Sequence, residues 1–218
     1  MGRILPRAFY DRDTESVARD LLGALLECET AEGRTSGIIV ETEAYLGEHD
    51  AACHAVAGPT HRTGPLYGRP GIAYVYFIYG MHWCFNAVTR AEGLPSAVLV
   101  RALQPVEGTG TMRRRRPRAS TETELTNGPG KLAAALGING SMNRASLQRR
   151  PLVIREGTTI AASAIETTAR VGITRAADWP LRYFIRDNPY VSRAPRARDL
   201  SPVDRKRQRT PSLDPLKQ

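Results

Sequence analysis

Between Ile72 and Leu103 the chain carries three β-rich runs separated by turn residues, and no other stretch constrains its fold as tightly. Ile72 to Ile78 and His82 to Thr89 flank Tyr79-Gly80-Met81, and two β-rich runs around a glycine predict a hairpin. A third run, Ser96 to Leu103, is predicted to pair antiparallel with that hairpin and to stop before Pro105, since proline has no N–H for the ladder. Upstream, Ser36 to Glu43 begins β-branched and ends in alternation, which predicts a strand with Glu41 and Glu43 on one face.

Thr14 is a candidate cap for a helix of about 14 residues in which Val17, Leu21 and Leu25 recur at near-helical spacing. Residues 46 to 71, rich in Gly, Pro, His and Thr, predict a long irregular connection of the kind that carries function. Asn127-Gly128-Pro129-Gly130 signals a turn before a short helix at Leu132 to Leu136. Leu152 to Arg155, Thr168 to Ile173 and Leu181 to Arg186 predict further short strands. From Arg193 the chain is rich in proline and basic residues without apolar periodicity, which predicts a flexible tail.

With 218 residues, 41% of them hydrophobic, the chain supports one sizeable core and predicts one globular domain. Three cysteines without a Cys-x-x-Cys pair indicate neither a disulfide framework nor a structural zinc site, and fit a reducing cytoplasm. No stretch reads as a signal peptide or a membrane span. The net charge of +9 is concentrated in two blocks: Arg113, Arg114, Arg115, Arg116 and Arg118, with no acid among them, and residues 193 to 218, with eight basic and three acidic side chains. Each block reads either as a solvated segment or as a contact for phosphates.

The chemistry concentrates around Glu41 and Glu43. Carboxylates can activate water, phenol and imidazole faces can hold a flat, electron-poor ring, and the basic balance favours a polyanion. Together they point to hydrolysis at a nucleic-acid base. Cleaving a glycosidic bond passes through an oxocarbenium-like sugar, so a carboxylate must both stabilise that cation and orient water, and Glu43 is the candidate. The competing reading makes Glu41 and Glu43 the solvent face of a half-buried strand. His49, Cys53, His54 and His61 fit no common zinc spacing, so no metal is expected.

Glu41-Thr42-Glu43-Ala44-Tyr45-Leu46-Gly47, His54, Tyr74 to Met81, Asn86 and Arg101 to Pro105 strongly resemble the alkyladenine (3-methylpurine) DNA glycosylase family. The resemblance extends through Gly128 to Leu132, Arg170-Val171-Gly172 and Leu181 to Arg186, most of residues 4 to 193. It implies a monofunctional DNA glycosylase of base excision repair. Such an enzyme flips alkylated or deaminated purines (3-methyladenine, ethenoadenine, hypoxanthine) out of double-stranded DNA, hydrolyses the N-glycosidic bond and leaves an abasic site, without metal or organic cofactor. By motif position, Glu43 would be the general base and Arg101 would lie beside it and the attacking water. Tyr45 and Tyr76 would sandwich the flipped base, His54 would complete the pocket, and Asn86 would crowd the purine 2-position against guanine. Tyr79 would enter the duplex in place of the extruded nucleotide, supported by Met81.

The implied fold is α+β: a single domain over residues 1–193 with a curved, mainly antiparallel sheet, short surrounding helices and a protruding DNA-inserting hairpin, followed by a basic tail over 194–218. A cytoplasmic monomer, on the nucleoid in a bacterium, is expected. His82-Trp83 and the arginine run depart from the family pattern, and Gly64 to Tyr67 is a variable loop. The alternative reading is a lesion-binding DNA module with little turnover, against which stands the presence of both Glu43 and Arg101.

Overall fold

The computed structural model describes residues 2–192. A single helical turn, α1 (Arg7–Tyr10), leads into α2 (Thr14–Asp20), which is half the predicted length. Its N-cap is Asp13, whose carboxylate accepts from the Ser16 N–H at 2.9 Å, while Thr14 is buried with its hydroxyl 3.0 Å from that of Thr89. Asp13 therefore replaces the predicted Thr14 cap. The helix ends early because Gly23 takes a φ of +86° with its N–H on the Ile39 carbonyl, turning the chain so that Leu25 opens a strand instead of closing a helical stripe.

That strand, β1 (Leu25–Thr30), pairs antiparallel with β2 (Gly33–Tyr45). The connection over 46–71 holds two short 3-10 turns, His54–Ala57 and Gly64–Tyr67. The predicted hairpin is β3 (Ala73–Ile78) and β4 (His82–Val88), with both Tyr79 and Gly80 at positive φ, as a type I′ turn requires. Next comes β5 (Ala97–Glu107), which pairs antiparallel with β4 as predicted but runs through Pro105. The strand tolerates Pro105 because a register shift between Ser36 and Gly37 of β2 sits opposite it, a bulge at which a ladder N–H is not required.

The arginine run is helical over its first three residues, while Arg116 and Arg118 lie in the loop that follows. Arg113 to Arg115 lie in α3 (Thr109–Arg115), where Met112 is buried and Arg115 bonds Thr30 Oγ1 at 2.7 Å and the Ala135 carbonyl at 3.1 Å. Arg113 stands 3.8 Å from Glu122, and Arg116 donates to the Glu124 carbonyl at 3.2 Å. The predicted helix is α4 (Pro129–Leu136), opening with Pro129 in its first turn and closing at Gly137, φ +76°. Then follow β6 (Gln148–Arg149), β7 (Leu152–Arg155), β8 (Ile165–Thr168) and β9 (Arg182–Ile185). The strand predicted at Thr168 to Ile173 is displaced to β8, since the residues after Thr168 leave the sheet to bury Arg170.

Among the described residues these nine strands form one antiparallel sheet in the order β3-β4-β5-β2-β1-β7-β6, with β9 joined to β2 and β8. β2 is the branch point: residues 33–38 pair with β1 and residues 41–43 with β9. This division curls the sheet into a half-barrel, around which Tyr10, Val17, Leu21, Ile39, Phe85, Leu103, Met112, Leu132, Leu136 and Tyr183 form the main core. The fold is the expected α+β one. No helix among the described residues is long and apolar enough to cross a membrane. The predicted tail, 194–218, lies outside the described residues.

Phe85 is fully buried in this core, so Phe85→Ala is expected to cost about 3–5 kcal/mol, read as a lowered urea midpoint at an unchanged slope.

Candidate active site

Two register shifts in the β2–β5 ladder build the site. Ile39 faces Leu103 and Glu41 faces Ala102, so Val40 is the extra residue on β2. Thr42 then faces Val100, which makes Arg101 the extra residue on β5. The paired bulges restore the register and aim the Arg101 side chain at the carboxylates of β2. Its Nε donates to Glu41 Oε1 at 3.0 Å, its Nη1 lies 3.2 Å from Glu43 Oε1, and its Nη2 donates to Ser192 Oγ at 3.3 Å.

Glu41 and Glu43 are both fully buried, which overturns the solvent-face reading. They share one face as the alternation predicted, while Thr42 turns the other way and donates to the Ala18 carbonyl of α2 at 2.9 Å. Glu41 is saturated: besides Arg101 it accepts from Arg182 Nε at 2.6 Å, Ser192 Oγ at 2.8 Å and Ser192 N–H at 2.7 Å. Glu43 accepts from the Val171 N–H at 2.7 Å on Oε1 and from the Tyr45 hydroxyl at 2.9 Å on Oε2. Burial works against the Arg101 cation, but the charges of Glu43 and Glu41 raise its pKa overall.

A cavity of about 420 Å³ opens in front of this cluster. Tyr45, Arg101 and Val171, the three partners of Glu43, all line it, so the carboxylate sits directly behind that wall. His54, Tyr76, Asn86 and Tyr79 line it too, which brings most of the predicted site residues around one space. The His54 ring meets Tyr76 edge-on at 4.6 Å between centroids, and its Nδ1 is 2.9 Å from the Tyr74 hydroxyl. Burial, with the charge of Arg62, lowers the His54 pKa to about 4, so the imidazole is neutral at pH 7. Burial and the Glu43 charge raise the Tyr45 phenol, which stays protonated and able to donate.

Asn86 is buried and donates to the Tyr74 carbonyl across the hairpin at 3.1 Å. Tyr79 and Met81 are the outliers in exposure, 64% and 68%, at the hairpin tip. Met81 is absent from the cavity wall, whereas His82 is part of it. Cys53 and Cys84 also line the cavity as free thiols, the latter pushed up to about 11 chiefly by burial. Among the described residues no three His, Cys, Asp or Glu side chains are grouped to hold a metal ion.

Sequence reasoning assigned no role to Asp50, Tyr74, Arg170, Val171, Arg182 or Ser192. Arg170 and Arg182 sit in stretches that carried the resemblance, which was the available signal. Asp50 and Ser192 had none, being single polar residues outside any periodic pattern.

The sequence model of the methylpurine-DNA glycosylase family matches residues 8–189 of this chain. A Myxococcus xanthus protein provisionally named 3-methyladenine DNA glycosylase is 48% identical over 194 residues, 88% of this chain and 94% of the relative. Proteins of the same provisional name from Prosthecochloris aestuarii and Methanoculleus marisnigri are 47% and 49% identical, covering 95% and 87% of this chain and 98% of each relative.

His54 carries a depressed pKa in the fold, so the unfolded chain takes up a proton that the folded chain refuses, and stability falls as pH drops from about 6.5 to about 4. Over that window His54→Gln is expected to remove a slope of up to about 1.4 kcal/mol per pH unit, measured by urea unfolding across pH.

Proposed function

This chain belongs to the methylpurine-DNA glycosylase family and is a DNA glycosylase, and from that premise we propose that it extrudes alkylated or deaminated purines from duplex DNA and hydrolyses their N-glycosidic bond at Glu43. The observation that carries this reading is a buried carboxylate held by three donors immediately behind an aromatic-walled cavity.

The step follows from that arrangement. A water in the cavity attacks the anomeric carbon while Glu43 takes its proton, and the glycosidic electron pair leaves with the base. Arg101, with Nη1 3.2 Å from Glu43 Oε1, places a positive charge beside the carboxylate that takes that proton. N-alkylation makes a purine cationic, so 3-methyladenine leaves as a neutral base. A cation also gains about 0.5–2 kcal/mol against the faces of Tyr45 and Tyr76, over a neutral ring. A neutral His54 beside Tyr76 adds no opposing charge. Hypoxanthine and ethenoadenine lack the fixed positive charge and depend more on hydrogen bonds to the pocket.

Asn86 limits the pocket where a guanine amine would lie, and its bond to Tyr74 fixes it there. Tyr79 serves as the wedge that fills the stack once the nucleotide has left, with Met81 beside it at the tip. Tyr79 holds a φ of +55°, uncommon for a residue with a Cβ, and this presents its ring outward from the turn.

Single-turnover base release from duplexes carrying 3-methyladenine, hypoxanthine or ethenoadenine tests the reading. Glu43→Gln is expected to slow release about 10²–10⁴-fold while lesion binding stays within a few-fold, and undiminished release by that variant would sink the assignment. Tyr79→Ala is expected to impair release from fully paired duplexes more than from mismatched ones; equal effects on both would count against a wedge.

A further inference from the structure

Arg170 and Asp50 take no part in the step just described, yet they form the most deeply buried ion pair at the site, both side chains having no solvent exposure. The pairing is bidentate: Nη1 donates to Asp50 Oδ2, and Nη2 to Oδ1 at 2.8 Å. Asp50 also accepts from the Leu46 and Ala52 N–H groups, each at 3.1 Å. Burial pushes the Asp50 carboxyl up, but Arg170 and these amides outweigh it and hold the group below its ordinary range.

Arg170 reaches further than its partner. Nη1 also donates to the Ala44 carbonyl at 3.0 Å, gripping β2 between Glu43 and Tyr45. The guanidinium carbon lies 4.7 Å from the centre of the Tyr45 ring, within cation–π distance. The next residue in the chain, Val171, supplies the N–H that bonds Glu43 Oε1, while the ring under Arg170 carries the hydroxyl that bonds Oε2. Each oxygen of Glu43 is thus oriented by a group that Arg170 holds.

We propose that Arg170, locked by Asp50, is the positioning residue for hydrolysis: it fixes the Val171 amide and the Tyr45 hydroxyl so that the Glu43 carboxylate is presented in one orientation. The proposal rests on the reading of Glu43 as the water-activating base. Arg101 contributes the third contact independently, from β5, so removing Arg170 leaves Glu43 charge-paired but free to rotate. Arginine is required because a lysine cannot hold two carboxylate oxygens, a carbonyl and a ring face from one planar group.

Arg170→Lys and Asp50→Asn test it, each checked for a native circular dichroism spectrum. The expected result is a loss of at least tenfold in the single-turnover rate at saturating enzyme, larger than any accompanying loss of lesion affinity. In a Glu43→Gln background the same substitutions are expected to cause no further loss of rate, since they act through Glu43. Multiplicative losses in the double variants would mean a merely structural role and overturn the proposal. A crystal structure of Arg170→Lys separates this outcome from failure of the glycosylase reading. The expected finding is an unchanged sheet with the Val171–Glu43 and Tyr45–Glu43 bonds broken, and their retention overturns the proposal whether or not any lesion is cleaved.

Discussion

Three carboxylates without solvent exposure, Glu41, Glu43 and Asp50, set the terms for this structure. A buried anion is tolerated only when it is paired and its lone pairs are filled, because the cost of leaving water otherwise exceeds any gain. Here the cations are Arg101 from β5, Arg170 from the segment after β8 and Arg182 from β9. Elements distant in sequence must meet for the charges to be matched. The ion pairs therefore act as closure conditions on the half-barrel as well as parts of a site.

The division of labour among the carboxylates follows from how each is satisfied. Glu41 has two arginines and both donors of Ser192, so it serves as an anchor that pins the chain near residue 192 against the sheet. Asp50 ties the loop after β2 to the segment that carries Val171. Glu43 alone has all its partners on the cavity wall, with one arginine, one amide and one phenol. Its neighbours hold charge and geometry on a wall that is otherwise largely apolar and aromatic, where both count for more than in open water.

Much of the scaffold was legible in the sequence because its signals are local. The hairpin around Gly80, the strand at Leu152 and the strand at Leu181 each follow from β-rich runs and turn residues. α2 misled because Val17, Leu21 and Leu25 have a helical period although Gly23 interrupts it, and β1 was lost inside that false stripe. Pro105 misled in the opposite sense, since its tolerance depends on a bulge in a partner strand. The candidate site was legible as a list of residues, most of which gather around one cavity, but not as a geometry. Glu43, Tyr45 and Tyr76 stand out by type and motif, yet the double bulge that turns Arg101 inward belongs to the pairing of two strands. Likewise Asp50 and Arg170 lie 120 positions apart, and no local pattern connects them.

The thiols beside the cavity have a bearing on how such a protein lasts in its working conditions. Methylated purines arise where electrophilic alkylating agents are present, and such agents react with thiolates far faster than with thiols. Burial pushes the Cys84 thiol up to about 11 and shifts Cys53 in the same direction. The burial that encloses the cavity thus also favours the protonated, less nucleophilic form of its two thiols.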